Sequence, residues 1–183
     1  PGREESPLCL DDPRYINLHN RLGKSGTMGK RMMKGTASIH LHVVIRCLEE
    51  VVPLFGKLCC MSRSSQFAMG VDRREIWDNT DRCRCGLPFT GLDCQSSFRN
   101  VIREFIRVGF CAETLEENKP FALVEKNSFD DFLLHHTTIF TDVRLNIKGP
   151  TFELRTPESR PYDEFKELWN EFIAVLGPAM NRR

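Results

Sequence analysis

Three short stretches alternate apolar and polar residues with a period of two, and this leaves the chain few architectures. Ser38–Ile45 reads SIHLHVVI, with Ile39, Leu41 and Val43 pointing one way and His40, His42 and Val44 the other. Thr138–Ile147 reads TIFTDVRLNI, with Val143, Leu145 and Ile147 opposite Arg144 and Asn146. After a Lys-Gly-Pro turn, Thr151–Arg155 sets Phe152 and Leu154 against Glu153 and Arg155. A period of two means strands. Their apolar faces supply a core side, and the other face gathers His, Arg and Glu, which plain packing does not require. The expected class is α+β, an antiparallel sheet with helices.

Helical signals surround these strands. Pro13–Leu22 has Asp12 as its cap and Pro13 at its first position. Arg46–Leu58 reads as a helix disturbed at Pro53. Residues 61–90 read as a polar loop with Trp77 as a packing anchor. Phe98, Val101, Ile102, Phe105 and Ile106 recur at helical spacing behind Ser96 or Ser97. Ser128 caps a short helix to about Leu134. Pro161 opens an amphipathic helix whose stripe is Phe165, Leu168, Trp169, Phe172, Ile173 and Leu176, and Gly177 ends it. The stretch GKSGTMGK, Gly23–Lys30, resembles a phosphate loop but has five residues between Gly23 and Gly29 and Arg31 after the lysine, so it reads as a flexible turn. At 183 residues the chain can bury the core of one domain, 1–183.

With 26 basic and 25 acidic residues, there is no charge excess to draw the chain to nucleic acid or a membrane surface. No apolar run is long enough to span a bilayer, and the N-terminus lacks the apolar core of a signal peptide. Its first residue is Pro, so the natural start is expected upstream. Eight cysteines invite a disulfide reading, because C-x-C-x8-C at Cys83, Cys85 and Cys94 ends many extracellular repeats. Such a repeat needs six cysteines in about 40 residues, and here ordinary helical sequence follows Cys94. A zinc site fails too, since the spacing is too tight and no second pair exists. The cysteines are expected to be reduced and the chain cytoplasmic.

Four stretches in order then resemble the glutamate–cysteine ligase family, in its bacterial and plant-like branch, with the related carboxylate–amine ligases. They are GKRMMKGTASIHLHV (29–43), RREIWDNTDRCRCGLPF (73–89), HHTTIFTDVRLN (135–146) and FELRTPESRP (152–161). Each alone is a weak to moderate signal, and the order and approximate spacing make them specific. In this resemblance Arg84 and Gly86 matter and Cys83 and Cys85 are incidental. It implies a glutamine synthetase-like catalytic fold with magnesium on the polar face of an antiparallel sheet. It also implies ATP-dependent joining of the glutamate γ-carboxylate to the cysteine amine through a γ-glutamyl phosphate. The family begins with a strand carrying E-x-E metal ligands, which nothing before residue 11 supplies. The chain is therefore expected to be the C-terminal part of a longer ligase, or a truncated relative that has lost activity.

The resemblance also assigns residues. Glu153 and His40 would hold magnesium, and Arg155 would stabilise the transferring phosphoryl group as the catalytic residue. His42 and Arg144 would contact the nucleotide. Arg73 or Arg84 would read a carboxylate of glutamate, for which a guanidinium fork is suited. Each has a plainer alternative: a hydrogen-bonded strand histidine for His40, a cross-strand ion pair for Glu153, a solvated strand residue for Arg144. Met32, Met33 and His135 are taken as structural. The implied partners are glutamate, cysteine, ATP and Mg²⁺. Rival functions are a carboxylate–amine ligase with another amine, and a non-catalytic binding domain derived from the ligase.

Overall fold

The computed structural model describes residues 7–8, 11–25, 28–86 and 96–180 of the chain. Leu87–Gln95, with Cys94 and the end of the second stretch quoted above, lie outside the described residues, as does Cys9. The protein is α+β and folds as two compact units, each built from three separate segments. One draws on Pro1–Thr36, Gly70–Pro88 and Phe105–Thr141, the other on Ala37–Met69, Phe89–Glu104 and Asp142–Arg183. No helix among the described residues is long and apolar enough to cross a membrane.

The second unit carries the alternating strands. Strands β1 (Leu41–Val44), β4 (Val143–Asn146) and β5 (Thr151–Leu154) form an antiparallel sheet in the order β1-β5-β4. Its apolar face is the expected one: Leu41, Val43, Val143, Phe152 and Leu154 are buried. Helix α3 (Val51–Met61) packs on β4 and β5, with Phe55 against Phe152 at 5.7 Å between ring centres. Helix α7 (Tyr162–Met180) contacts α3 and buries Leu168, Phe172 and Leu176. The expected helix at Arg46–Leu58 opens as a 3-10 turn, Leu48–Glu50, and becomes α-helical at Val51, and Pro53 does not interrupt α3 itself. It sits in the first turn of α3, where a backbone N–H has no helical acceptor anyway. Nor does Gly177 end α7, which continues to Met180; one glycine costs a helix only about 1 kcal/mol.

The first unit holds α1 (Pro13–Ser25), α2 (Gly29–Gly35), α4 (Val71–Asp78), the later turns of α5 (Phe98–Cys111) and α6 (Phe129–His136). A short parallel pair, β2 (Cys85–Gly86) with β3 (Phe140–Thr141), lies among them. Asp12 caps α1 as expected, its Oδ1 accepting from Arg14 N at 2.8 Å. Ser128 caps α6 in a reciprocal capping box with Asp131. Two elements depart from the sequence expectation. Helix α2 begins within the expected turn, and α4 occupies part of the expected loop. Both are short, and a window of seven or eight residues gives the 3.6 period little to act on. The Thr138–Ile147 run also breaks at Asp142: β3 pairs with β2 and β4 with β5, while the Asp142 carbonyl accepts from Arg155 N at 2.9 Å.

Gly29 marks where α2 meets α1. A β-carbon there would lie 2.1 Å from the Leu22 carbonyl oxygen, a backbone atom that cannot turn aside. Gly29→Ala should therefore cost about 3 kcal/mol in urea unfolding, at the upper end for overpacking. A change below about 0.5 kcal/mol would mean that the helices separate freely. Gly86 answers to a different constraint: its φ of 83° is left-handed, so the glycine nine residues after Trp77 is a backbone requirement.

Candidate phosphoryl-handling face of the sheet

Register brings the polar residues of the second unit together. His42 lies opposite Glu153 on β1–β5, and Arg144 lies opposite Glu153 on β4–β5. One cross-strand row therefore reads His42, Glu153, Arg144. Glu153 is its centre, with its side chain 1% exposed. Arg144 forks onto it, Nε donating to Oε2 at 2.8 Å and Nη2 to Oε1 at 2.9 Å. Arg155, two residues on and so on the same face, donates from Nη1 to Oε2 at 3.0 Å. His42 stands further off, its Nδ1 4.0 Å from Oε1. His40 is fixed from its own side by Ser38, whose Oγ is 3.0 Å from Nε2.

The electrostatics follow. Burial of Glu153 would raise its pKa, but the hydrogen bonds and charge of Arg144, then the charge of Arg155, outweigh it and hold the carboxyl below its ordinary value. It is ionised at neutral pH. His40 goes the other way. Part of its ring reaches solvent, yet the protein packed around it, followed by the Arg155 charge, pushes its pKa down to about 4. A neutral imidazole keeps a lone pair for a metal ion.

His40, His42 and Glu153 can place one ligand atom each within 4.8 Å of one another. This is two imidazole nitrogens and one carboxylate oxygen. Magnesium prefers oxygen and is commonly held by one or two carboxylates with waters and substrate phosphates. The donor set fits a magnesium ion only if phosphate and water oxygens complete it. The Arg144 fork now occupies the carboxylate such an ion would use.

Arg73 and Arg84, expected to flank Trp77 in a loop, lie in the first unit and are both buried. Arg73 is on α4, its guanidinium 5.3 Å from the centre of the Trp77 ring. Arg84 is fully buried and its fork is spent inside the protein. Nε donates to Asp81 Oδ2 at 3.1 Å, Nη1 to the Thr138 carbonyl at 3.3 Å and to Thr138 Oγ1, and Nη2 to the Glu113 carbonyl. In this arrangement the fork is not offered to a ligand. Asp81, Thr138 and Glu113 are its partners. Asp81 and Thr138 lie within the second and third quoted stretches but were not singled out, and the three-residue spacing from Asp81 to Arg84 was the available signal.

His135 is structural in geometry. Buried in the first unit, it places Nε2 3.0 Å from the Gly109 carbonyl and stacks on Phe121 at 5.0 Å. Burial, then the Arg84 charge, lowers its pKa to about 4. The unfolded chain binds the proton more readily, so stability is full above about pH 6.5 and falls as pH drops toward 4. We expect roughly 2 kcal/mol of loss between pH 7.5 and 5, and a visibly flatter pH profile in His135→Gln. Identical profiles for parent and variant would contradict this. The described cysteines at 47, 59, 60, 83, 85 and 111 are free thiols.

An α+β chain whose sheet gathers a carboxylate, two imidazoles and two guanidiniums on one face has the groups needed to hold anions and a metal ion. The family model of glutamate–cysteine ligase family 2 matches residues 1–176, and the chain belongs to that family. No match was found among curated protein sequences.

Proposed function

We propose that the chain takes part in ATP-dependent joining of the glutamate γ-carboxylate to the cysteine amine, with residues 1–183 working as one catalytic domain of glutamine synthetase-like fold. The observation that carries this reading is the row His42–Glu153–Arg144, flanked by Arg155 and His40, in a member of this family. A γ-carboxylate oxygen would attack the terminal phosphorus of ATP, and ADP would leave. The cysteine amine would then attack the γ-glutamyl phosphate, forming the amide and releasing phosphate. Oxide is a poor leaving group and phosphate a good one, which is why ATP is needed.

In this mechanism Arg155 stabilises the charge on the phosphoryl oxygens, which a fixed, always-charged fork does well. Arg144 leaves Glu153 for the ATP phosphates, and His42 contacts the nucleotide. Glu153 and neutral His40 would hold Mg²⁺, which when bound supplies charge neutralisation for phosphoryl transfer. A carboxylate of glutamate needs a guanidinium, and Arg73 and Arg84 are the two that the family motif offers. Arg84 can serve only by exchanging an internal hydrogen bond for the substrate. In this reading the reaction would take place in the cytoplasm, without nucleic acid or a membrane as partner.

The test follows ADP release by the full-length protein with glutamate, ATP and Mg²⁺, adding cysteine or replacing it with other amines. Cysteine-dependent ADP release with γ-glutamylcysteine as product supports the reading. Arg155→Ala should lower turnover tenfold to a thousandfold, as loss of about 1.4–4 kcal/mol of transition-state stabilisation does. Selective use of a different amine would establish the broader carboxylate–amine ligase. The closed Arg144–Glu153–Arg155 network favours one further reading, a binding domain in which these charges only hold the sheet. ATP binding without turnover of any amine would establish that instead.

A further inference from the structure

The first unit contains a pocket of about 480 Å³ that no step above uses. That is the size of cavity small organic ligands occupy, roughly 300–1,000 Å³. It opens among the start of α1, two loops at 114–117 and 124–127, and α6. Its floor is the buried Phe121–His135 stack. Its rim carries four carboxylates, Glu116, Glu117, Glu125 and Asp131, against two cations, Arg14 and Lys126.

The four carboxylates are not equivalent. Glu117 is paired with Lys119 at 2.7 Å. Asp131 accepts from Ser128 N at 2.8 Å and Oγ at 2.6 Å as half of the capping box. Glu116 and Glu125 make no hydrogen bond or ion pair with any described residue. Arg14 is directed to a neutral partner instead: its Nη2 donates to Thr137 Oγ1 at 3.0 Å and to the Thr137 carbonyl at 3.3 Å. The loops bearing the two carboxylates are pinned independently of any ligand. Thr114 N donates to the Lys119 carbonyl at 2.9 Å, and Asn127 Nδ2 donates to the Phe121 and Val124 carbonyls at 3.1 and 2.9 Å. The negative rim is thus preformed over an aromatic floor.

We infer that this pocket binds an organic ammonium ion with an aromatic or apolar body, the body over the Phe121–His135 stack and the ammonium toward Glu116 and Glu125. An ammonium pairs with carboxylates and is attracted by an aromatic face, so both parts of the site act on the same charge. The neutral His135 ring adds no repulsion. An anion with the same body would meet a rim with more carboxylates than cations.

The experiment titrates the full chain at pH 7 with phenethylammonium and, separately, with its anionic counterpart 3-phenylpropionate. Calorimetry gives the affinities, and the His135 ring resonances report whether the ligand reaches the floor. Saturable binding of phenethylammonium with a shift at His135 is expected, with 3-phenylpropionate at least tenfold weaker. The double variant Glu116→Gln/Glu125→Gln changes two exposed side chains, leaves the fold intact, and should weaken the cation about tenfold. Equal or tighter binding of 3-phenylpropionate would overturn the inference, as would no saturable binding of the cation or unchanged affinity in the double variant. Ligase turnover does not enter these readings, so this inference and the proposed function fail separately.

Discussion

Glu153→Gln should unfold with about 3 kcal/mol less stability than the parent chain, before any effect on chemistry. Glu153 is buried and receives three guanidinium hydrogen bonds from Arg144 and Arg155. Glutamine has one acceptor oxygen where the carboxylate has two, and its amide hydrogens would face guanidinium hydrogens. The two arginines would also lose the charge of the carboxylate they share. Removing one member of a buried ion pair typically costs 3–5 kcal/mol, because the partner remains uncompensated. Arg144 is 19% exposed and can turn toward solvent, which places the cost at the low end. Urea unfolding of Glu153→Gln, Arg144→Gln and the double variant measures the coupling directly, and at least 1 kcal/mol is expected. If Glu153→Gln stays within 0.5 kcal/mol of the parent, the row is not a buried network. The same variant should raise the magnesium concentration that ATP turnover requires, since the candidate ligand has lost its charge.

The sheet was legible from sequence because a period of two needs only four residues to show, and β1, β4 and β5 each have four. Alternation also placed Glu153 and Arg155 on one face and Phe152 and Leu154 on the other, as observed. Alternation does not say which strands are neighbours. That β5 is central, and hence that His42 and Arg144 both face Glu153, required the pairing itself. The cross-strand ion pair held as the plainer alternative for Glu153 is present, with Arg144 opposite it, but alternation does not say how deeply the two arginines cover the carboxylate. Helices α2 and α4 were missed for want of length. Helix α4 buries Arg73 with Ile76 and Trp77, and an arginine among buried positions masks an apolar stripe.

Arg84 separates a residue type that suits a substrate from one that suits a fold. In sequence, the family resemblance of the stretch around Trp77, Arg84 and Gly86 implies that an arginine there reads a substrate carboxylate. In the structure its fork links three segments: Asp81 before β2, Thr138 before β3, and Glu113 after α5. Burial lowers its pKa, and the Asp81 charge opposes that. Its value as a link depends on planar, divergent donors, which lysine lacks. Arg84→Lys puts one ammonium where acceptors on three residues diverge and leaves at least one of them buried without a donor. Charge-assisted hydrogen bonds contribute about 1.5–3 kcal/mol each, so a loss of about 3 kcal/mol is expected. Asp81→Asn should lose less than Arg84→Lys, because the amide still accepts from Nε. The two changes should also be strongly non-additive. The substrate role makes the opposite pattern. If Arg84 gives up its internal partners to glutamate, Arg84→Lys leaves stability within 0.5 kcal/mol and raises the KM for glutamate at least tenfold. Unfolding and glutamate titration on the same variant therefore decide which work this guanidinium does.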